Sequence, residues 1–123
     1  MIGNILLQTI LSFTNRLIKK ALPKSERLQE LMQEREHFVL QIRTQSSKGG
    51  HFELKNGQLH FSKKLHPNPT FEQNWKSGLE AVRTMLSKDE TDMLRAFEDG
   101  KYRMKGDFTV ALWFNEVTKL AKP

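Results

Sequence analysis

A chain of 123 residues with 37% hydrophobic content is sized for one domain with a modest core, so its few aromatic rings have to sit where they matter. It has no cysteine, which excludes a disulfide framework, a thiolate zinc site and a cysteine nucleophile. The formal charge of +6 leaves nucleic acid, an anionic membrane and plain solubility open; part of the excess is local, because the first 25 residues carry Arg16, Lys19, Lys20 and Lys24 and no acid.

The chain opens with a helical pattern. Ile2, Leu6, Ile10, Phe13 and Leu17 recur at intervals of four, four, three and four and form one stripe, which Leu7, Leu11 and Ile18 widen. Asn4, Gln8, Thr9, Ser12, Asn15 and Arg16 interrupt the apolar run, and no basic region precedes it. Neither a membrane span nor a secretion leader is expected, and the protein reads as soluble and cytoplasmic. The apolar stripe with a basic remainder fits a helix packed on its own domain, and it also fits a membrane-surface or partner helix. Pro23 ends the helix, and Ser25 is placed to cap a second piece carrying Leu28, Leu31 and Met32.

From His37 to Thr44 the period changes to two, with Phe38, Leu40 and Ile42 on one side of a strand. A turn over residues 46–50 leads to "FELKNGQLHF", residues 52–61, where Asn56-Gly57 supplies the two positive-φ positions of a two-residue hairpin turn. That register sets Leu54 opposite Leu59, Phe52 opposite Phe61, and Glu53 opposite His60. One face of the sheet is then greasy and must be covered by helices. Two prolines make residues 62–71 a connection, and residues 70–75 read as a fourth strand presenting Phe71 and Trp75 on one face.

Leu79, Val82 and Leu86, with Ala81 and Met85, mark a helix. Ser87-Lys88-Asp89-Glu90 reads as a capping box for the next, with Met93, Leu94 and Phe97 inward and Gly100 at its stop. Residues 101–105 alternate as a short strand. Asp107 caps a last helix whose Val110, Trp113, Phe114, Val117, Leu120 and Ala121 form one broad face, extended by Phe108 and Leu112. The order of elements is that of an α+β fold.

Little here suggests chemistry. His37, His51, His60 and His66 have no spacing that gathers metal ligands, and the carboxylates Glu26, Glu30 and Glu34 are mixed with arginines on a solvated helix face. No phosphate-cradling glycine loop or nucleophile–base pair is present, so no enzyme, metal or cofactor is expected. Nucleic acid is disfavoured, because the aromatic residues fall on the opposite strand face from Lys101, Arg103 and Lys105. What remains is a surplus of apolar helix. It is explained either by tight packing with a dimer contact or by the lining of a cavity for an apolar ligand.

The segment "MLRAFEDGKYRMKGDFTVALWF" resembles the C-terminal signature of the sterol carrier protein 2 family. The matching positions are Leu94, Phe97, Gly100, Lys101, Met104, Gly106, Asp107 and Leu112. The resemblance implies a five-stranded, mixed and mostly antiparallel sheet covered on one face by helices, with a tunnel between the layers. It also implies a ligand such as a fatty acid, fatty acyl-CoA, sterol or isoprenoid-type lipid and no catalytic residue. Some bacterial relatives serve as accessory lipid-binding factors in isoprenoid quinone biosynthesis and others are appended to enzymes, and the resemblance admits either. On that basis residues 35–121 form the lipid-binding domain and residues 1–34 an N-terminal helical segment. The expected walls are Met85, Leu86, Met93, Phe97, Met104, Phe108, Leu112 and Trp113. Arg16, Lys19, Lys20 and Lys24 are the expected membrane contacts, and pairing with a second copy is the competing use of the apolar helices.

Overall fold

A computed structural model describes residues 2–122. Helix α1 (Ile2–Ala21) passes through a 3-10 turn (Leu22–Lys24) into α2 (Glu26–Gln33). Strands β1 (His37–Thr44), β2 (Gly49–Lys55) and β3 (Gln58–Ser62) follow, then β4 (Phe71–Trp75), α3 (Gly78–Leu86), α4 (Thr91–Glu98), β5 (Tyr102–Gly106) and α5 (Phe108–Ala121). The strands make one sheet in the order β3-β2-β1-β4-β5. The β1–β4 pair is parallel and the other pairs are antiparallel, so the sheet is mixed, as the resemblance implies.

The hairpin forms as its sequence dictates. Asn56 and Gly57 have φ of 54° and 75°, and the ladder pairs Leu54 with Leu59, Phe52 with Phe61 and Glu53 with His60. Register then carries the greasy face across all five strands, through Phe38, Leu40, Ile42, Phe52, Leu54, Leu59, Phe71, Trp75 and Tyr102, each at most 5% exposed. The helices cover this face. Trp113 meets Phe38 edge-on at 4.9 Å between centroids, Phe114 lies 4.8 Å from Phe52, and Phe108 lies 5.7 Å from Phe71.

The peptide from β3 to β4 crosses the opposite, polar face. Gln41, only 1% exposed, holds it there: its Nε2 donates to the His66 carbonyl at 3.3 Å and to Glu72 at 2.8 Å, and its Oε1 accepts from the His66 N–H at 2.6 Å. Thr70 then fixes the entry to β4. Its hydroxyl accepts from Val39 N at 3.0 Å and its carbonyl accepts from Asp107 N at 2.9 Å. Gly106, at φ 106°, lies against that carbonyl so closely that any Cβ would collide with it, which accounts for the glycine of the Gly-Asp step.

The helices turn different faces inward from those the spacing suggested. In α1 the buried positions are Leu7, Leu11 and Ile18, whereas Ile2, Leu6 and Phe13 of the main stripe face outward. The polar side chains set this rotation, since Gln8 Nε2 donates to the Gly49 carbonyl and Asn4 Nδ2 to Ser46 Oγ, each at 3.0 Å. In α3 the inward residues are Gly78, Ala81 and Val82, with Leu79 and Leu86 left exposed. Small residues face inward there because α1 crosses at backbone distance: a Cβ on Gly78 would lie 2.6 Å from the Gly3 carbonyl carbon.

Helix α4 buries Ala96 and turns Leu94 out, contrary to its inward assignment, while Phe97, 44% exposed, keeps one side against Tyr102. The capping box also does not form. Ser87 is extended and closes α3, while Asp89 supplies the start of α4 by accepting from Thr91 N at 2.9 Å. Gly100 stops α4 at φ 72°, and Asp107 caps α5 by accepting from Thr109 N at 2.9 Å, both as expected.

Candidate functional site

The large hydrophobic side chains exposed among the described residues, eleven in number, all lie on α1, α3, α4 and α5; none is on a strand or on the peptide crossing the outer sheet face. The helical layer is therefore apolar on its outside as well as on the side that meets the sheet. The expected wall residues distribute between these two environments. Trp113 is 5% exposed and belongs to the packed interior, where its indole N–H is spent on the Leu31 carbonyl at 2.7 Å. Leu86 and Leu112, at 66% and 70%, stand on the outer surface. Met85 is half-buried against the core.

Met93, Phe97, Met104 and Phe108 gather at the β4–β5 end of the molecule. Tyr102 stacks on Trp75 with centroids 4.4 Å apart, Phe97 tilts onto Tyr102 at 5.6 Å, and the Tyr102 hydroxyl donates to the Met93 carbonyl at 3.2 Å. Burial pushes the Tyr102 phenol above its ordinary pKa, so it stays a neutral donor. At the other end of the same strands Phe108 leans on Phe71. Between these two aromatic groups Gln73 and Met104 face each other across the β4–β5 ladder on the helix-covered side, and both are only half-buried. The helices thus leave the stretch of sheet at Gln73 and Met104 only partly covered, between the Phe97–Tyr102 and Phe71–Phe108 contacts, and this partly covered stretch is termed the slot.

Two recesses lie away from this slot. One of about 550 Å³ sits on the outer sheet face beneath the crossing peptide and includes Gln41, Arg43, His66, Glu72 and Lys105. The other, about 230 Å³, lies between the end of α1, α2 and β3, with Ile18, Leu22, Met32 and Leu59 among its walls. None of the expected wall residues lines either.

Charge is segregated by layer. Residues 37–76 and 101–106, which make the sheet and its connections, hold nine Lys and Arg against two acids, leaving eleven against twelve for the rest of the chain. The four histidines belong to this side as well: His37 Nε2 meets Glu53 at 2.6 Å, and His51 Nδ1 meets the Lys64 carbonyl at 2.6 Å. The expected membrane contacts Arg16, Lys19, Lys20 and Lys24 are all exposed. Arg16 and Lys20 continue, at helical spacing, the outward line of Ile2, Leu6 and Phe13. Gln73 is the residue that sequence reasoning passed over. It looked like part of a polar run, and only the strand alternation fixed by Phe71 and Trp75 shows that it faces the helices.

Comparison with solved structures identifies the fold. A structure described as a UbiJ-SCP2 ubiquinone synthesis protein superposes with a TM-score of 0.67 and 14% sequence identity, over 93% of this chain and 96% of that one. The apo form of sterol carrier protein 2 from Yarrowia lipolytica gives a TM-score of 0.54 at 16% identity, over 87% and 88% of the two chains. No family profile and no curated protein sequence matches. The chain has the sterol-carrier-protein-2-like fold. Among the described residues no helix is long and apolar enough to cross a membrane.

Proposed function

We propose that the protein is a non-catalytic carrier that holds one long-chain apolar ligand in the slot over β4 and β5. The observation that carries this reading is that the exposed large hydrophobic side chains are confined to the helices of a single layer, while the sheet beneath the slot is left half-open at Gln73 and Met104. Each methylene removed from water contributes about 0.8 kcal/mol, so a dozen supply on the order of 10 kcal/mol before the costs of association. Side chains such as Met93, Met104, Phe97 and Phe108 suit that task, since thioethers and rings accommodate chains of varied shape. Met85, Leu86 and Leu112 extend the apolar surface on which the ligand enters, and Trp113 supports it from below. The shared fold of the two solved structures agrees with this reading.

Delivery uses α1. Its outward line runs from Ile2, Leu6 and Phe13 into Arg16 and Lys20, with Lys19 and Lys24 beside it. Four cations at roughly 1 kcal/mol each give a weak, salt-sensitive hold on an anionic bilayer, which a carrier needs in order to let go.

Native mass spectrometry of the purified chain tests the reading. A co-purified lipid mass on the monomer is expected, and delipidated protein should regain a fatty acid, acyl-CoA, sterol or quinone. A lipid-free dimer that takes up none of these would instead assign the apolar helices to self-association. Co-sedimentation with anionic vesicles that survives high salt, or that persists after substitution of Arg16, Lys19, Lys20 and Lys24, would remove the membrane part alone.

A further inference from the structure

On the helix-facing side of β4 and β5 the chain presents Phe71, Gln73, Trp75, Tyr102 and Met104, followed by Gly106. Gln73 is the one amide in this row, and the geometry fixes its orientation. The indole N–H of Trp75 donates to Gln73 Oε1 at 2.9 Å. An indole nitrogen can only donate, so the oxygen of the amide must face Trp75 and the NH2 group must face away from it. That NH2 has no acceptor among the side-chain hydrogen bonds of the described residues. Nor is it sealed in, because among the described residues the buried side-chain polar atoms left without a partner are on Asn15 and Asn74. The slot therefore has an unengaged amide NH2 that is not sealed off, beside Met104 and between the Phe71–Phe108 and Trp75–Tyr102 pairs.

This donor pair defines a ligand chemistry. It asks for an acceptor and offers none, since the amide oxygen is already engaged. Strand alternation puts Glu72, Arg103 and Lys105 on the opposite face of the sheet, so no cation from these strands stands ready for a carboxylate. A carboxylate held on an apolar floor without a counter-charge is costly, whereas a neutral carbonyl oxygen satisfies the donors at little cost.

We infer that Gln73 is the polar anchor of the slot, its Nε2 donating to a neutral ketone-, ester- or quinone-type oxygen carried by the bound apolar chain. The inference rests on the apolar-ligand reading above and adds to it a residue and a ligand class.

A matched pair of probes tests it on the full chain: undecanophenone and undecylbenzene, which differ by one carbonyl in place of one methylene. Binding is read by native mass spectrometry in competition. The wild-type chain should prefer the ketone roughly five- to tenfold, the equivalent of one ordinary hydrogen bond. Gln73→Leu should reduce the ratio to about one while leaving undecylbenzene binding intact. Gln73→Glu, read at alkaline pH where its carboxyl is ionised, keeps an acceptor for the Trp75 indole but has no donor, so it should lose the preference while its tryptophan emission stays native. A decyl-substituted benzoate should bind the wild type no better than undecylbenzene.

Equal binding of ketone and hydrocarbon by the wild type overturns the anchor and leaves the apolar-ligand reading standing. So does a preference that survives in Gln73→Glu or Gln73→Leu. If neither probe binds, the carrier reading falls and the anchor falls with it. A Gln73 variant that fails to fold does not stall the test, since the wild-type ratio decides by itself.

Discussion

The indole N–H of Trp113 donates to the backbone carbonyl of Leu31 at 2.7 Å, joining α5 to α2 across 82 positions of sequence. The same ring lies edge-on to Phe38, so one side chain ties two helices to the centre of the sheet. Among the described residues that carbonyl also accepts from Glu34 N, at 3.3 Å. Trp113→Phe keeps an aromatic ring over Phe38 but removes the short bond and part of the packed volume. The expected loss is about 2 kcal/mol in chemical denaturation, with the denaturant slope unchanged. A loss under about 0.5 kcal/mol would show that the two helices are not joined in this way in solution.

The contact of α1 with α3 is made at backbone distance. A Cβ on Gly3 would stand 2.5 Å from Leu79 N, and one on Gly78 would stand 2.6 Å from the Gly3 carbonyl carbon. Gly78→Ala improves the intrinsic helix preference of α3 yet forces the two helices apart. The clash outweighs the propensity gain, and a net destabilisation of about 1–3 kcal/mol is expected in thermal unfolding. Stabilisation on this substitution would mean that α1 does not lie on α3.

Glu53 gives the fold an acid-sensitive point. Its hydrogen bond with the His37 side chain holds the carboxyl below its ordinary value of 4.5. A carboxyl with a depressed folded-state value contributes stability above its unfolded value, and that contribution is lost as pH falls through the folded value. Glu53→Gln should therefore melt about 1–4 °C below wild type near pH 6. The two curves should converge as pH drops below the ordinary carboxylate range, and a gap that stays constant there would assign the effect to packing.

The slot and the outer surface are separable by substitution. Phe97→Ala and Phe108→Ala remove the flanks, and because both rings are exposed by 44% or more the cost in stability should stay near 1 kcal/mol. Uptake of undecylbenzene should fall several-fold in each. Leu112→Ala, on a side chain 70% exposed, should change uptake by less than twofold. The reverse pattern would move the ligand from the slot to the outer helical face.

The sheet was the most legible part of the molecule. Its information is local: period-two alternation, Asn56-Gly57 and facing aromatic pairs fix register within a dozen residues, and Gly106-Asp107 marks the final strand-to-helix step. The helix faces were less legible, because α1, α3, α4 and α5 carry apolar residues around most of their circumference. Which side turns inward is then set by groups that periodicity does not weigh. Gln8 and Asn4 orient α1 through hydrogen bonds to a distant turn, and Gly3 and Gly78 let two backbones meet where leucines were expected. For the same reason Leu94, read as inward, and Leu86 and Leu112, read as cavity walls, stand outside, whereas Gln73, on the Phe71–Trp75 face of its strand, was given no role.

The route of the peptide between Ser62 and Phe71 also bears on how the chain assembles. Strands β1 to β3 can zip together from a tight turn, but β1 acquires its second neighbour only when β4 returns, pairing Leu40 with Phe71 at a cost in loop closure. Until then β1 has a bare edge running through Phe38, Val39, Leu40, Gln41 and Ile42, all of them interior in the finished fold. During synthesis or refolding that edge is the stretch most able to recruit a second chain, so crowding should lower the yield of native protein more than its final stability suggests.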